Sequence, residues 1–121
     1  MNILVIEDDA AVRNCISILL KREKHAVYEA ENGIIGLLLL KEQKDISVVI
    51  TDIVMPEKDG IETIIEVKKQ YPTIRIIAIS GGGQVGPENY LVMANALGAH
   101  TTLKKPFSGE ELVLAIRNLN L

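Results

Sequence analysis

The sequence predicts an α/β fold, a single parallel sheet of five strands covered by helices on both faces. Three observations lead there. Short apolar runs alternate with helix-period segments along the whole chain. Several of the runs are continuous rather than alternating, as strands buried on both faces require. Acids, a hydroxyl and lysines follow directly on the apolar runs, where the carboxyl ends of parallel strands would gather them at one rim.

The strand candidates are Ile3 to Ile6, Ala26 to Tyr28, Val48 to Ile50, Ile74 to Ile79 and Thr101 to Leu103. Between them, Val12, Cys15, Ile16, Leu19 and Leu20 follow the i, i+3, i+4, i+7, i+8 pattern of an amphipathic helix. The segment Ile34 to Leu40 is apolar on every side. Such a helix is expected to be covered, by deep packing, by a partner or by a second copy of the chain. Ile61, Ile64, Ile65 and Lys68 give an apolar face with a polar flank. Leu112, Ala115, Ile116 and Leu119 give the last amphipathic helix, with Ser108 as a capping hydroxyl and Glu110 and Glu111 in the first turn. Five strand-then-helix units predict right-handed crossovers throughout.

At 121 residues the chain fits one domain, residues 1–121. The net charge of −3 and the absence of a basic stripe argue against nucleic-acid binding by this domain. One cysteine, Cys15, excludes an intrachain disulfide and fits a reducing, cytoplasmic setting. The apolar start, Met1 to Ile6, meets Glu7, Asp8 and Asp9 at once and does not resemble a signal peptide. The longest apolar stretch is far shorter than the roughly 20 residues a membrane helix needs.

The strand ends carry the chemistry. Glu7, Asp8 and Asp9 follow strand one, Asp52 to Pro56 strand three, Ser80 to Gly83 strand four, and Lys104 to Pro106 strand five. Carboxylates brought to one rim repel unless a cation sits among them, and hard oxygen ligands suit Mg²⁺. A lysine opposite would balance the rest. Asp9 fits a helix cap better than a metal ligand. Lys104, the strand neighbour of Lys105, should point the other way, to solvent.

These residues resemble the response-regulator receiver domain of two-component signalling, typified by the chemotaxis regulator. Ile3-Leu4-Val5-Ile6-Glu7-Asp8 is similar to the family's acidic pair after strand one. Asp52-Ile53-Val54-Met55-Pro56-Glu57-Lys58-Asp59-Gly60 is similar to its phosphorylation loop. Lys105-Pro106-Phe107 is similar to its closing motif, with Gly98-Ala99 ahead of strand five and Ser80 between. Each motif alone is weak, but their register together is specific. The resemblance covers essentially the whole chain. It implies a flavodoxin-like three-layer α/β/α fold with strand order 2-1-3-4-5, and a Lys105–Pro106 bond of the cis type.

The resemblance also implies roles. Asp52 is the nucleophile that becomes an aspartyl phosphate. Asp8 and Asp52 ligate Mg²⁺ directly, Glu7 acts through water, and the Val54 carbonyl adds an oxygen. Lys105 contacts the phosphoryl oxygens and Ser80 senses them, shifting a two-state equilibrium. The partners implied are a histidine kinase or phosphotransfer protein as donor and an unnamed downstream protein. The domain would catalyse only its own phosphoryl transfer and dephosphorylation. The alternative is a degenerate receiver, a protein-binding module that never takes phosphate.

Three departures stand out. Gly81-Gly82-Gly83-Gln84-Val85-Gly86 satisfies G-x-G-x-x-G, but Lys104 and Lys105 stand where a dinucleotide site needs an acid. Thr102 stands where many family members have an aromatic, so the switch is expected to run through the Gly81–Pro87 loop and the helix after it. Val54 and Gly82 carry no polar group to orient an attacking water, which implies a long-lived phosphoryl group. The cognate kinase, the signal and the output leave no trace in the sequence.

Overall fold

In the computed structural model, residues 1–53, 60–81 and 97–119 are described. Five strands form one parallel sheet: β1 (Asn2–Ile6), β2 (Ala26–Ala30), β3 (Val48–Asp52), β4 (Arg75–Ser80) and β5 (Thr101–Lys104). Their order is β2-β1-β3-β4-β5, so the expected order 2-1-3-4-5 holds. The described helices are α1 (Ala10–Arg22), α2 (Gly33–Glu42), α3 (Gly60–Gln70) and α4 (Gly109–Arg117). The helix expected between β4 and β5 falls on residues 82–96, outside the described residues.

The pleat of the strands divides the core in two. Leu4 and Ile6, Val49, and Ile76 and Ala78 face the side covered by α2 and α3. Ile3 and Val5, Val48 and Ile50, and Ile77 and Ile79 face the side covered by α1 and α4. All of these are essentially removed from water. With almost no aromatics, branched aliphatics fill both layers, which accounts for the continuous apolar strands in the sequence.

The helices begin where their caps dictate. Asp9 caps α1, its carboxylate accepting from the N–H groups of Ala11 at 2.9 Å and Val12 at 3.3 Å. Asn32 caps α2 by accepting from Ile35 N–H at 2.9 Å. Ser108 and Glu111 form a reciprocal capping box at the start of α4.

Some faces turn differently from the apolar pattern. On α1 the buried residues are Ile16, Ser17 and Leu20, while Cys15 is exposed. On α3 they are Gly60, Thr63, Ile64 and Val67, and Ile65 points outward. Four strands, β2, β3, β4 and β5, run further than the apolar runs that mark them in the sequence, because backbone pairing continues past those runs. Asp52 and Lys104 are therefore the last residues of strands rather than the first of loops.

Candidate functional site

Each site residue is delivered by a strand end. Glu7 follows β1 and is held by its backbone N–H, which donates to Ala30 O at 3.0 Å. Asp52 ends β3 and is 6% exposed; Ser80 ends β4 and is fully buried. The backbone N–H of Lys105 donates to Ser80 O at 2.8 Å, so cation and hydroxyl are joined through the main chain. The Lys105–Pro106 peptide is cis.

The side chains converge. One carboxylate oxygen from each of Glu7, Asp8 and Asp52 lies within 4.8 Å of the others. Glu7 and Asp52 are buried and Asp8 is exposed. Lys105 Nζ lies 2.7 Å from Glu7 Oε1 and 3.2 Å from Asp52 Oδ2. Lys104 is exposed. The structure thus brings together Glu7, Asp8, Asp52 and Lys105, with Ser80 alongside. Val54, the backbone ligand expected from the sequence, lies outside the described residues, as do Gly82 and the rest of the Gly81–Pro87 loop beyond Gly81.

The electrostatics show an excess of negative charge. Burial, reinforced by the neighbouring Asp52, pushes the Glu7 carboxyl above its ordinary range, although Lys105 opposes the shift. Burial and then the nearby Glu7 push Asp8 upward as well. Burial works against the charge on Lys105, but Glu7 and Asp52 outweigh it and hold the ammonium more firmly protonated than an ordinary lysine. One ammonium among three carboxylates leaves room for a divalent cation. Hard carboxylate oxygens at this mutual distance fit Mg²⁺, with Asp8 on the solvent side of the cluster.

The Ser80 hydroxyl is buried and has no hydrogen-bond partner among the described residues. An orphaned buried hydroxyl costs roughly 1–3 kcal/mol. Two glycines shape the same rim. A Cβ at Gly60 would strike the Asp52 carbonyl oxygen, and Gly60 N–H donates to Ile53 O at 2.8 Å, so α3 starts directly on the backbone of Asp52. A Cβ at Gly81 would strike the Lys105 stem. The space beside Gly81 is filled by that lysine.

Arg13 was not singled out by its sequence position. It reaches from α1 to donate through Nη1 to the Glu7 carbonyl at 2.7 Å, while its Nε lies 3.4 Å from Glu29 Oε1. It pins the backbone that carries Glu7 and Asp8. The available signal was a lone arginine in the apolar stretch of α1.

The family model for the response regulator receiver domain matches residues 3–117. This chain belongs to the response regulator receiver family. It is 34% identical, over 97% of its length, to an NtrX-like response regulator of Rickettsia bellii, of which it covers 24%. It is 32% identical, over 98% of its length, to the response regulator SaeR of Staphylococcus aureus, of which it covers 50%. Receiver structures superpose closely. One from Clostridium thermocellum gives a TM-score of 0.88 at 33% identity, covering 97% of this chain and 91% of that one. The NtrX receiver of Brucella abortus gives 0.87 at 28% identity, covering 95% and 94%. The chain therefore spans a quarter to a half of the curated relatives it matches. Receivers act in two-component systems, engage histidine kinases or phosphotransfer proteins, and generally bind Mg²⁺ at an acidic pocket. Among the described residues no helix is long and apolar enough to cross a membrane.

Proposed function

We propose that this receiver accepts a phosphoryl group on Asp52 in a Mg²⁺-dependent reaction. The donor is the phosphohistidine of a histidine kinase or phosphotransfer protein. An Asp52 carboxylate oxygen attacks phosphorus, the donor's P–N bond breaks, and the released imidazole nitrogen takes up a proton. The product is a mixed anhydride on Asp52. The observation that carries this reading is the placement of Asp52, buried at a strand end within the acidic cluster and 3.2 Å from the Lys105 ammonium.

Glu7, Asp8 and Asp52 would hold the cation, whose part is to offset charge on the transferred group. Lys105 supplies a fixed cation on the other side. Ser80 supplies the hydroxyl that donates to the phosphoryl oxygen, and its inward engagement switches partner binding. Positioning and electrostatics account for the reaction, so the domain catalyses only its own modification. The cytoplasm, where such donors meet their receivers, is the setting that fits. The downstream target is a protein recognised through the switched face.

The test uses Mg²⁺ with acetyl phosphate or phosphoramidate, read by intact mass. Wild type should gain one phosphoryl group and Asp52→Ala none. A wild type that gains nothing from small donors or from a kinase would instead establish a degenerate, phosphorylation-independent receiver.

A further inference from the structure

The α2 helix reads Gly33-Ile34-Ile35-Gly36-Leu37-Leu38-Leu39-Leu40-Lys41-Glu42, with no polar side chain before Lys41. Its inner side is fixed by Gly36 and Leu40, both buried; a Cβ at Gly36 would strike the Ile6 side chain. Ile34 and Leu38 lie two residues to either side of Gly36, which places each about 160° around the helix from it. They are 50% and 54% exposed. Beside them runs a groove of about 310 Å³ lined by Ile34, Leu37, Leu38 and Lys41 of α2 and by Gln70 and Tyr71 at the end of α3.

The exposed positions are symmetric about Gly36. Ile34 and Leu38 are equidistant from it along the helix, and in sequence so are Glu31, just ahead of the extended helix cap, and Lys41, in the last turn. When two copies of such a helix pack antiparallel about a two-fold axis through residue 36, Ile34 meets the second copy's Leu38. Glu31, at the helix entrance, then lies at the same end of the pair as the second copy's Lys41, and the axis repeats both arrangements. Glu31 and Lys41 are exposed and form no ion pair among the described residues. Another protein would have to match this pattern by chance, whereas a second copy matches it by symmetry.

We propose that α2 is a self-association surface, on which two copies of this chain pair antiparallel through Ile34 and Leu38, flanked by Glu31–Lys41 ion pairs. A single helix face buries less than a standard interface, so the dimer is weak and forms only at high protein concentration. The pairing does not depend on the phosphorylation site.

Sedimentation equilibrium from about 5 to about 500 µM tests it, in the concentration range where small interfaces associate. The weight-average mass of wild type should climb from one chain toward two, less steeply in high salt. Leu38→Glu and, independently, Ile34→Arg should remain monomeric with unchanged melting curves, since both side chains point to water. Glu31→Lys or Lys41→Glu alone should weaken the dimer by about threefold or more, and E31K/K41E together should restore it. Wild type that stays monomeric throughout overturns the proposal. So does a dimer indifferent to both apolar substitutions, or a double swap as weak as its single changes.

Discussion

The Lys105 ammonium stands closer to Glu7 than to Asp52, at 2.7 Å against 3.2 Å. In this state the lysine is the counter-charge of the acid pair as much as a waiting phosphate ligand. A phosphoryl group accepted on Asp52, as proposed, would have to draw it away from Glu7 or share it. Removing the ammonium should therefore separate two properties. Lys105→Met should bind Mg²⁺ about three- to tenfold more tightly, because a competing positive charge is gone, yet accept phosphate from acetyl phosphate more slowly. Isothermal titration and intact-mass time courses measure the two. Weaker Mg²⁺ binding in the variant would contradict this account.

Arg13 holds the Glu7 carbonyl through a charge-assisted hydrogen bond. Arg13→Met should weaken Mg²⁺ binding and slow phosphorylation, each by roughly fivefold, for the loss of about 1 kcal/mol of positioning. Arg13→Lys keeps the charge but not the fork that reaches Glu7 and Glu29 together, and should recover only part of the loss. Variants that bind Mg²⁺ as wild type does would reduce Arg13 to a structural tie.

The pH response of the metal site follows from the upward shifts of Glu7 and Asp8. The folded, metal-free protein retains protons that the unfolded chain has released. These groups thus favour folding at low pH and lose that contribution as pH rises from the ordinary carboxylate range through their raised values. Mg²⁺ binds the deprotonated cluster and offsets the repulsion. The rise in melting temperature on adding Mg²⁺ should be larger at about pH 8 than at about pH 5, and smaller in Asp8→Asn. A pH-independent rise would place the ion elsewhere.

At the opposite rim, His100 Nδ1 accepts the Ile76 N–H at 3.1 Å. Burial, then the charges of Lys68 and Arg75, lower its pKa. The unfolded chain takes up the proton first, so this contribution to stability is complete above the usual histidine value of ~6.5 and is lost as pH falls below it. Burial and the N-terminal amine push His25 the same way. His100→Gln retains an acceptor that does not titrate and should flatten the decline in melting temperature between about pH 7 and pH 5. A decline as steep as in wild type would assign the effect to His25 alone.

The cluster of Glu7, Asp8, Asp52 and Lys105 was legible because parallel-sheet topology sends strand ends to one rim whatever the helices do, whereas the strand order came from the family resemblance. Asp9 and Ser108 were legible as caps because capping is local. The buried face of α1 was legible only in part. Of its apolar stripe Val12, Cys15, Ile16, Leu19 and Leu20, the sheet takes Ile16 and Leu20, with Ser17 beside them. Val12 and Leu19 only rest against that core, and with Cys15 they line a groove beside Pro106 and Phe107. A hydrophobic pattern records how much apolar surface a helix owns, but not how it is divided between sheet and groove. Arg13 escaped for the same reason, since its role depends on the angle at which α1 crosses β1.

Gly81 gives the site a vulnerability unrelated to charge. The Lys105 stem passes through the space where a Cβ would sit. One methyl group at position 81 would turn the ammonium aside while leaving every acid, hydroxyl and cation of the site in the sequence. The site's cation could thus be displaced with all its signature residues intact. An inventory of those residues would still count such a protein as competent.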